Sequence, residues 1–542
     1  MPPNRRQFLK SAGALAAFGP LALAQAKRPN IVLIMVDDMG FSDLGCYGSE
    51  IATPNVDSLA RGGVCFTQFY NTARCCPSRA SLMTGLYSHQ AGVGHMVGDD
   101  GLPGYRGELS PNCITIAEAL RAAGYRTGMS GKWHVARIEG GKHNWPLQRG
   151  FERFFGTLHG GGNYFFPNML VRGNEELPPV EPGFYYTSAI ADETVKQIDE
   201  FASGDAPFFV YTAFTAPHWP LHALESHIRK YEKLYRRGWD ELRRERHRRL
   251  VSLGVIDRRW SLPPRDERVP EWKDTPNKEW EARRMAVYAA QMELMDEGVG
   301  RILAKLKEKG IEDNTLVMFL SDNGASDEVI RSNFSNANYS GTTPDGRQIR
   351  HGNDPSVTPG SAVTFQSYGF EWAHLSNTPF RQFKARTHEG GIASPLIVRW
   401  PSAIRGDTMQ SRPSHIIDLM PTCLEAAGVP TPAERNGFRL TPIEGRSFLP
   451  ALRGSKDSDH DALYWEHQGN RAVRQGDWKL VAMHNGDWEL YNLAADRTET
   501  QDQVKRHPER AEEMARSWEN WAKRCQVLPW ADVLAARAKR GR

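Results

Sequence analysis

Four short apolar runs in this chain each stop abruptly at polar or charged residues, and that punctuation constrains the fold more than any other feature. Ile31 to Val36 runs into Asp37 and Asp38, Tyr125 to Ser130 leads to Lys132 and His134, Phe208 to Thr215 runs into Pro217 and His218, and Leu316 to Leu320 ends at Asp322 and Asn323. Such runs read as buried parallel strands, which deliver ligand-binding side chains from their carboxyl ends. Helical patterns at Ile114 to Ala123 and Glu281 to Lys309 lie between them, so strands and helices alternate and the expected class is α/β. A ligand site at the strand tips follows.

At 542 residues the chain exceeds the size at which a single core keeps growing. Residues 27–455 read as a catalytic domain and 456–542 as a smaller unit, divided near Gly454 to His460. The second unit holds four short runs, Ala462 to His467, Asn470 to Arg474, Trp478 to Met483 and Trp488 to Leu493, which predict a four-stranded antiparallel sheet. Glu509 to Cys525 has helical periodicity and is expected to pack on it. Within the first domain, Ala223 to Val255 reads as an exposed helical insertion, spanning about 223–257, with the basic cluster Arg243 to Arg249 on a solvated face. Residues 324–377 are loop-like, an excursion expected to wall a pocket.

Residues 1–26 carry a different signal. Asn4-Arg5-Arg6-Gln7-Phe8-Leu9-Lys10 precedes an apolar stretch, Ser11 to Ala24, and Ala24-Gln25-Ala26 is an A-x-A cleavage site. The pattern is that of a twin-arginine export signal. Its apolar run is shorter than the ~20 residues a spanning helix needs, so the expectation is cleavage after Ala26, a periplasmic or secreted product and no stable membrane insertion. Lys+Arg 68 against Asp+Glu 64 is too balanced for a nucleic-acid partner. The seven cysteines show no CxxC pairs or zinc-type spacing.

One cysteine sits in a conspicuous setting. Cys75-Cys76-Pro77-Ser78-Arg79, within CCPSRASLMTG, resembles the activation signature of the type I sulfatases, matching at Cys75, Pro77, Arg79, Leu82, Thr84 and Gly85. Lys132 and His134 in GMSGKWH, His218 in APHWP and Lys384 in FRQFKARTHEGG extend the likeness, which is nearest to bacterial arylsulfatases. The resemblance implies an alkaline-phosphatase-like fold, with a large mixed sheet flanked by helices and a small C-terminal sheet. It implies that a formylglycine-generating enzyme oxidises Cys75 to formylglycine, in the cytoplasm if the twin-arginine route carries the folded protein. One hydroxyl of the hydrated aldehyde then attacks sulfur, and the other lets the adduct collapse and release sulfate.

Further roles follow from the same likeness. Asp37, Asp38, Asp322, Asn323 and residue 75 would hold Ca²⁺, with Mg²⁺ the alternative. Lys132, His218 and Lys384 would bind the sulfate group, and Arg79 would orient the hydrate. Asp322 would act as base in the attack, His218 would protonate the departing oxygen and His134 would take the proton from the second hydroxyl. The residues support this on their own terms. Four oxygen ligands suit Ca²⁺ or Mg²⁺ rather than zinc, provided the two strand tips are neighbours, and fixed cations stabilise charge that develops on sulfate oxygens.

Substrate identity stays open. Gly160 to Phe166 and Trp219 offer flat apolar surface, so a small aryl sulfate is the working substrate. A saccharide sulfate, a phosphate or phosphonate ester, and binding of sulfated ligands by an unconverted, noncatalytic protein are the alternatives. His89, His95, Asp99 and Asp100 suggest no role, and His388 with Glu389 reads as a turn.

Overall fold

The computed structural model describes residues 27–334, 339–455 and 460–541. The expected export signal and the middle of the expected domain boundary lie outside them. The first domain is built on β1 (Asn30–Val36), β2 (Val64–Tyr70), β3 (Arg126–Lys132), β4 (Arg153–Thr157), β5 (Phe208–Ala213), β6 (Thr315–Ser321) and β7 (Ala393–Arg399). They lie in the spatial order β2, β7, β6, β1, β5, β3, β4, within a mixed sheet of eleven strands whose remaining members are short strands at its edges. β1 is central and parallel to both β5 and β6. β7 runs antiparallel to its neighbours β2 and β6.

The alternation of side chains along β1 explains the two layers. Val32, Ile34 and Val36 enter one buried cluster while Ile31, Leu33 and Met35 enter another, as a strand with both faces covered requires. On the second face lie α1 (Cys75–Thr84) and α2 (Ile116–Ala122); on the first lie α3 (Tyr186–Phe201) and α6 (Lys278–Glu308), with α4 (Glu225–Tyr235) and α5 (Trp239–Ser252) beside them. Registry aligns the strand ends: Met35 pairs with Ala213 and with Leu320, Val36 with Ser321, and Gly131 with Ala213. The four predicted tips therefore meet at one edge. Gly131 is obligatory there, because its φ is +109° and a Cβ would lie 1.9 Å from the Ala213 carbonyl oxygen.

The second unit contains β8 (Leu463–His467), β9 (Asn470–Gln475), β10 (Trp478–Ala482) and β11 (Glu489–Asn492), an antiparallel meander as predicted. The helix Pro508–Arg524 packs on it, and a further helix, Trp530–Lys539, was not foreseen. Among the described residues no helix is long and apolar enough to cross a membrane.

Three expectations need correction. The basic cluster of the helical insertion is not simply a solvated face: Arg243 and Arg246 are buried, and Arg246 binds Asp43 and both carboxylate oxygens of Glu50. Residues 324–377 are not all loop, since α7 (Gly369–Ser376) and two-residue strands at Arg350–His351 and Thr364–Phe365 occur there. His388 and Glu389 make more than a turn. The Glu389 carboxylate is fully buried and receives Lys479 Nζ at 2.9 Å, Arg497 Nε at 2.8 Å and Tyr70 Oη at 2.9 Å, tying the small sheet to the large one. Burial opposes its ionisation most, but Lys479 and Arg497 outweigh this and lower its pKa to about 2.

Because that value lies below the ordinary 4.5, the stabilisation is complete above the unfolded-state value and is lost as the pH falls through the folded one. Glu389→Gln leaves buried Arg497 without its carboxylate and Lys479 with Glu499 alone, so it should cost roughly 3 kcal/mol at pH 7. Urea denaturation of the variant checks this, with the deficit shrinking as the pH is lowered from 5 toward 3.

Candidate active site

The C-x-P-x-R spacing acquires its meaning from α1. Cys75 and Arg79 are one helical turn apart and share a face, and all ten residues of the helix are buried. Arg74 precedes it in extended conformation, and Gly85 ends it in the left-handed region with φ +67°. Cys75 is thus the first helical residue, where the partial positive charge of a helix N-terminus favours an anion. Arg79 reaches across to the strand tips, donating to the Lys132 carbonyl at 2.9 Å and to Asp322 Oδ2 at 2.8 Å.

The tips of β1 and β6 bring the four oxygen-bearing residues together. Asp38 N–H donates to Asp322 Oδ1 at 3.2 Å, and Asn323 Nδ2 donates to Asp38 Oδ1 at 2.6 Å. Lys132 Nζ lies 2.5 Å from Asp37 Oδ2. Lys384 Nζ lies 2.8 Å from Asp38 Oδ2, and His218 Nε2 lies 3.4 Å from the same oxygen. All these side chains are buried. Asp37 Oδ1 and Asn323 Oδ1 find no hydrogen-bond donor among the described residues. Buried acceptors left bare are costly, and a hard cation among these oxygens would satisfy them, so the residues fit Ca²⁺ or Mg²⁺.

Charge in this cluster follows from burial and neighbours. Burial opposes ionisation of Asp37 most strongly, yet Lys132, His218 and Arg79 together outweigh it and bring the carboxyl below the ordinary range. Asp322 goes the other way, well above that range, through burial and the nearby charge of Asp37. A cation among these oxygens would reverse the second effect. The Cys75 thiol is drawn well below its usual value by a hydrogen bond with Cys76, against burial, with Lys132 and His134 adding to the pull.

The two histidines are set up differently. His218 Nδ1 lies 2.5 Å from the Trp219 carbonyl oxygen; a carbonyl only accepts, so Nδ1 carries a proton and Nε2 faces Asp38 and Lys384. His134 has its Nε2 3.2 Å from Cys76 Sγ and its Nδ1 without a partner. Its pKa is lowered to about 4, chiefly by burial. The Cys75 and Cys76 sulfurs and a ring nitrogen of His134 all lie within 4.8 Å of one another. Every residue anticipated from the sequence is in or beside this cluster.

Glu328 was missed. It sits in the excursion after β6 and accepts from Lys384 Nζ at 3.1 Å, Arg74 Nη2 at 3.1 Å and Trp219 Nε1 at 2.8 Å. The only signal was an acid six residues beyond Asp322 in a segment otherwise read as polar loop. The excursion does wall the site. Trp219 packs edge-on against Phe334 and Phe365 at 5.7 Å and against Tyr339 at 6.0 Å, while the tyrosine hydroxyl lies 3.1 Å from where a side chain on Gly161 would begin. His89, given no role by the sequence, pairs with Glu466 of the small sheet at 2.8 Å.

Residues 29–429 match the sulfatase family model, and 380–523 match that of the C-terminal region of N-sulphoglucosamine sulphohydrolase. An uncharacterized sulfatase of Schizosaccharomyces pombe is 34% identical over 91% of this chain and 93% of its own length. An arylsulfatase of Klebsiella aerogenes is 34% identical over 79% of this chain and 92% of its own. Among solved structures, Ps i-CgsB in complex with k-i-k-neocarrahexaose has a TM-score of 0.65 at 25% identity, covering 91% of this chain and 93% of that one. With the cluster of cations and carboxylates at the strand tips, these matches establish that the chain belongs to the sulfatase family and is a sulfuric ester hydrolase.

Proposed function

We propose that the protein hydrolyses sulfate monoesters, with small aryl sulfates as working substrates, using formylglycine at position 75 and a bound Ca²⁺, and that it acts after twin-arginine export. The observation that carries the reading is Cys75 at the buried head of α1, one turn from Arg79 and beside two unsatisfied oxygens at the strand tips. Formylglycine, once hydrated, supplies a nucleophilic hydroxyl and a second one through which the sulfated residue can collapse. Asp37, Asp38, Asp322, Asn323 and residue 75 would hold Ca²⁺, which would supply positive charge for the sulfate oxygens.

The remaining work belongs to the chain. Lys132 and Lys384 grip the sulfate oxygens, their ammonium groups fixed by Asp37 and Asp38 respectively. Arg79, braced on the Lys132 carbonyl and Asp322, orients residue 75, and Asp322 accepts its proton. His218 protonates the departing oxygen through Nε2, since Nδ1 is committed to the Trp219 carbonyl. His134, held neutral by burial and with Nδ1 free, is placed to take the proton from the second hydroxyl. The aromatic wall of Trp219, Tyr339, Phe334 and Phe365 favours a flat apolar leaving group. A saccharide ring also packs on such a wall, so saccharide sulfates are the second reading.

Mass spectrometry of the peptide containing position 75 should show an aldehyde; an intact thiol in fully active protein would defeat the mechanism. Cys75→Ala should abolish turnover of nitrophenyl sulfate, by at least about 10⁴-fold, while the protein stays folded and still unfolds cooperatively in urea. Chelation should remove activity and Ca²⁺ should restore it. A panel of aryl and saccharide sulfates alongside nitrophenyl phosphate identifies the substrate class, with nitrophenyl sulfate preferred over the phosphate.

A further inference from the structure

A carboxylate beside a sulfate-binding lysine competes with the substrate, so Glu328 at 3.1 Å from Lys384 needs a reason. Its surroundings supply one. One oxygen takes Lys384 Nζ, Trp219 Nε1 and the Ser326 hydroxyl at 3.1 Å; the other takes Arg74. It therefore joins the residue before the modified cysteine, the anion-gripping lysine and the aromatic wall. Lys384 is held between Asp38 and Glu328, with its ammonium 3.5 Å from His218 Nε2.

The charge count is equally informative. Four cationic side chains, Arg74, Arg79, Lys132 and Lys384, face four carboxylates, Asp37, Asp38, Asp322 and Glu328. A divalent cation would leave two positive charges in excess, which matches the charge of the product, inorganic sulfate. Without Glu328 the excess would be three. Glu328 is partly exposed, but Lys384 beside it is buried, so each unit of excess charge there strengthens anion binding, and product held too tightly slows release.

Resting on the sulfatase reading above, we propose that Glu328 is a positioning residue that acts through Lys384, trimming the positive charge offered to the anion so that sulfate is released. A merely structural brace predicts looser anion binding when it is lost. Charge trimming predicts the opposite sign.

The test is titration of inorganic sulfate into the full-length protein with residue 75 converted, by isothermal titration calorimetry at fixed ionic strength. Glu328→Gln should tighten sulfate binding by at least about tenfold and lower kcat for nitrophenyl sulfate. Glu328→Asp keeps the charge and should stay within about threefold of the parent in sulfate affinity. Unchanged or weaker binding in Glu328→Gln, or equal tightening in Glu328→Asp, overturns the proposal. Should Glu328→Gln not fold, Arg74→Gln decides: removing a cation should weaken sulfate binding, and no change or a tightening counts against charge trimming. Parent protein that binds sulfate but hydrolyses no sulfate ester would defeat the enzymatic reading while leaving the sign of the Glu328 effect measurable.

Discussion

Everything in this molecule depends on keeping ionised groups apart from water at the carboxyl ends of the four neighbouring parallel strands β6, β1, β5 and β3. Asp37, Asp38, Asp322 and Asn323 arrive there on β1 and β6, at positions fixed by backbone pairing, and none reaches solvent. Carboxylates so placed are tolerable only with cations at contact distance. Arg79 comes from α1, Lys132 from the tip of β3, and Lys384 from the segment before β7. The helix, the three strands and that segment are held together by the ion pairs the cluster needs.

A second buried ionic cluster does for the assembly what the first does for the site. Glu389 lies five residues from Lys384 and is clasped by Lys479 and Arg497, with Glu499 closing the group. The small sheet therefore acts through the Lys384 segment, and Asn470 at the start of β9 adds a bond to the Ala385 carbonyl at 3.0 Å. Loss of the C-terminal unit would free the segment that carries Lys384, although no residue of that unit has been assigned to the chemistry.

The strands and the polar residues at their tips were legible from local pattern, whereas Cys75, Arg79 and Lys384 stood out only through the likeness to a known family. A strand buried on both faces must be continuously apolar, so IVLIMV and LVMFL announce themselves, and the polar residue that ends each run marks the edge where a ligand can sit. Glu328 was not legible, since its partners Lys384, Arg74 and Trp219 come from three separate stretches of chain and no spacing records the meeting. The buried Arg246 was misjudged for a related reason. Its basic neighbours on α5 suggest solvent, and only the distant Asp43 and Glu50 turn one side of that helix inward. The short helix α7 was hidden by the Gly- and Ser-rich composition around it.

The burial of α1 also bears on the life history of the chain. Cys75 is 2% exposed and its helix has no exposed residue, so a modifying enzyme has no route to that sulfur once the two layers have closed. If residue 75 is oxidised as proposed, the step would have to take place on a nascent or loosened chain. Under that reading a molecule that folds first would be trapped, well packed and permanently silent, and the yield of converted protein would be set by a race between compaction and catalyst encounter rather than by stability.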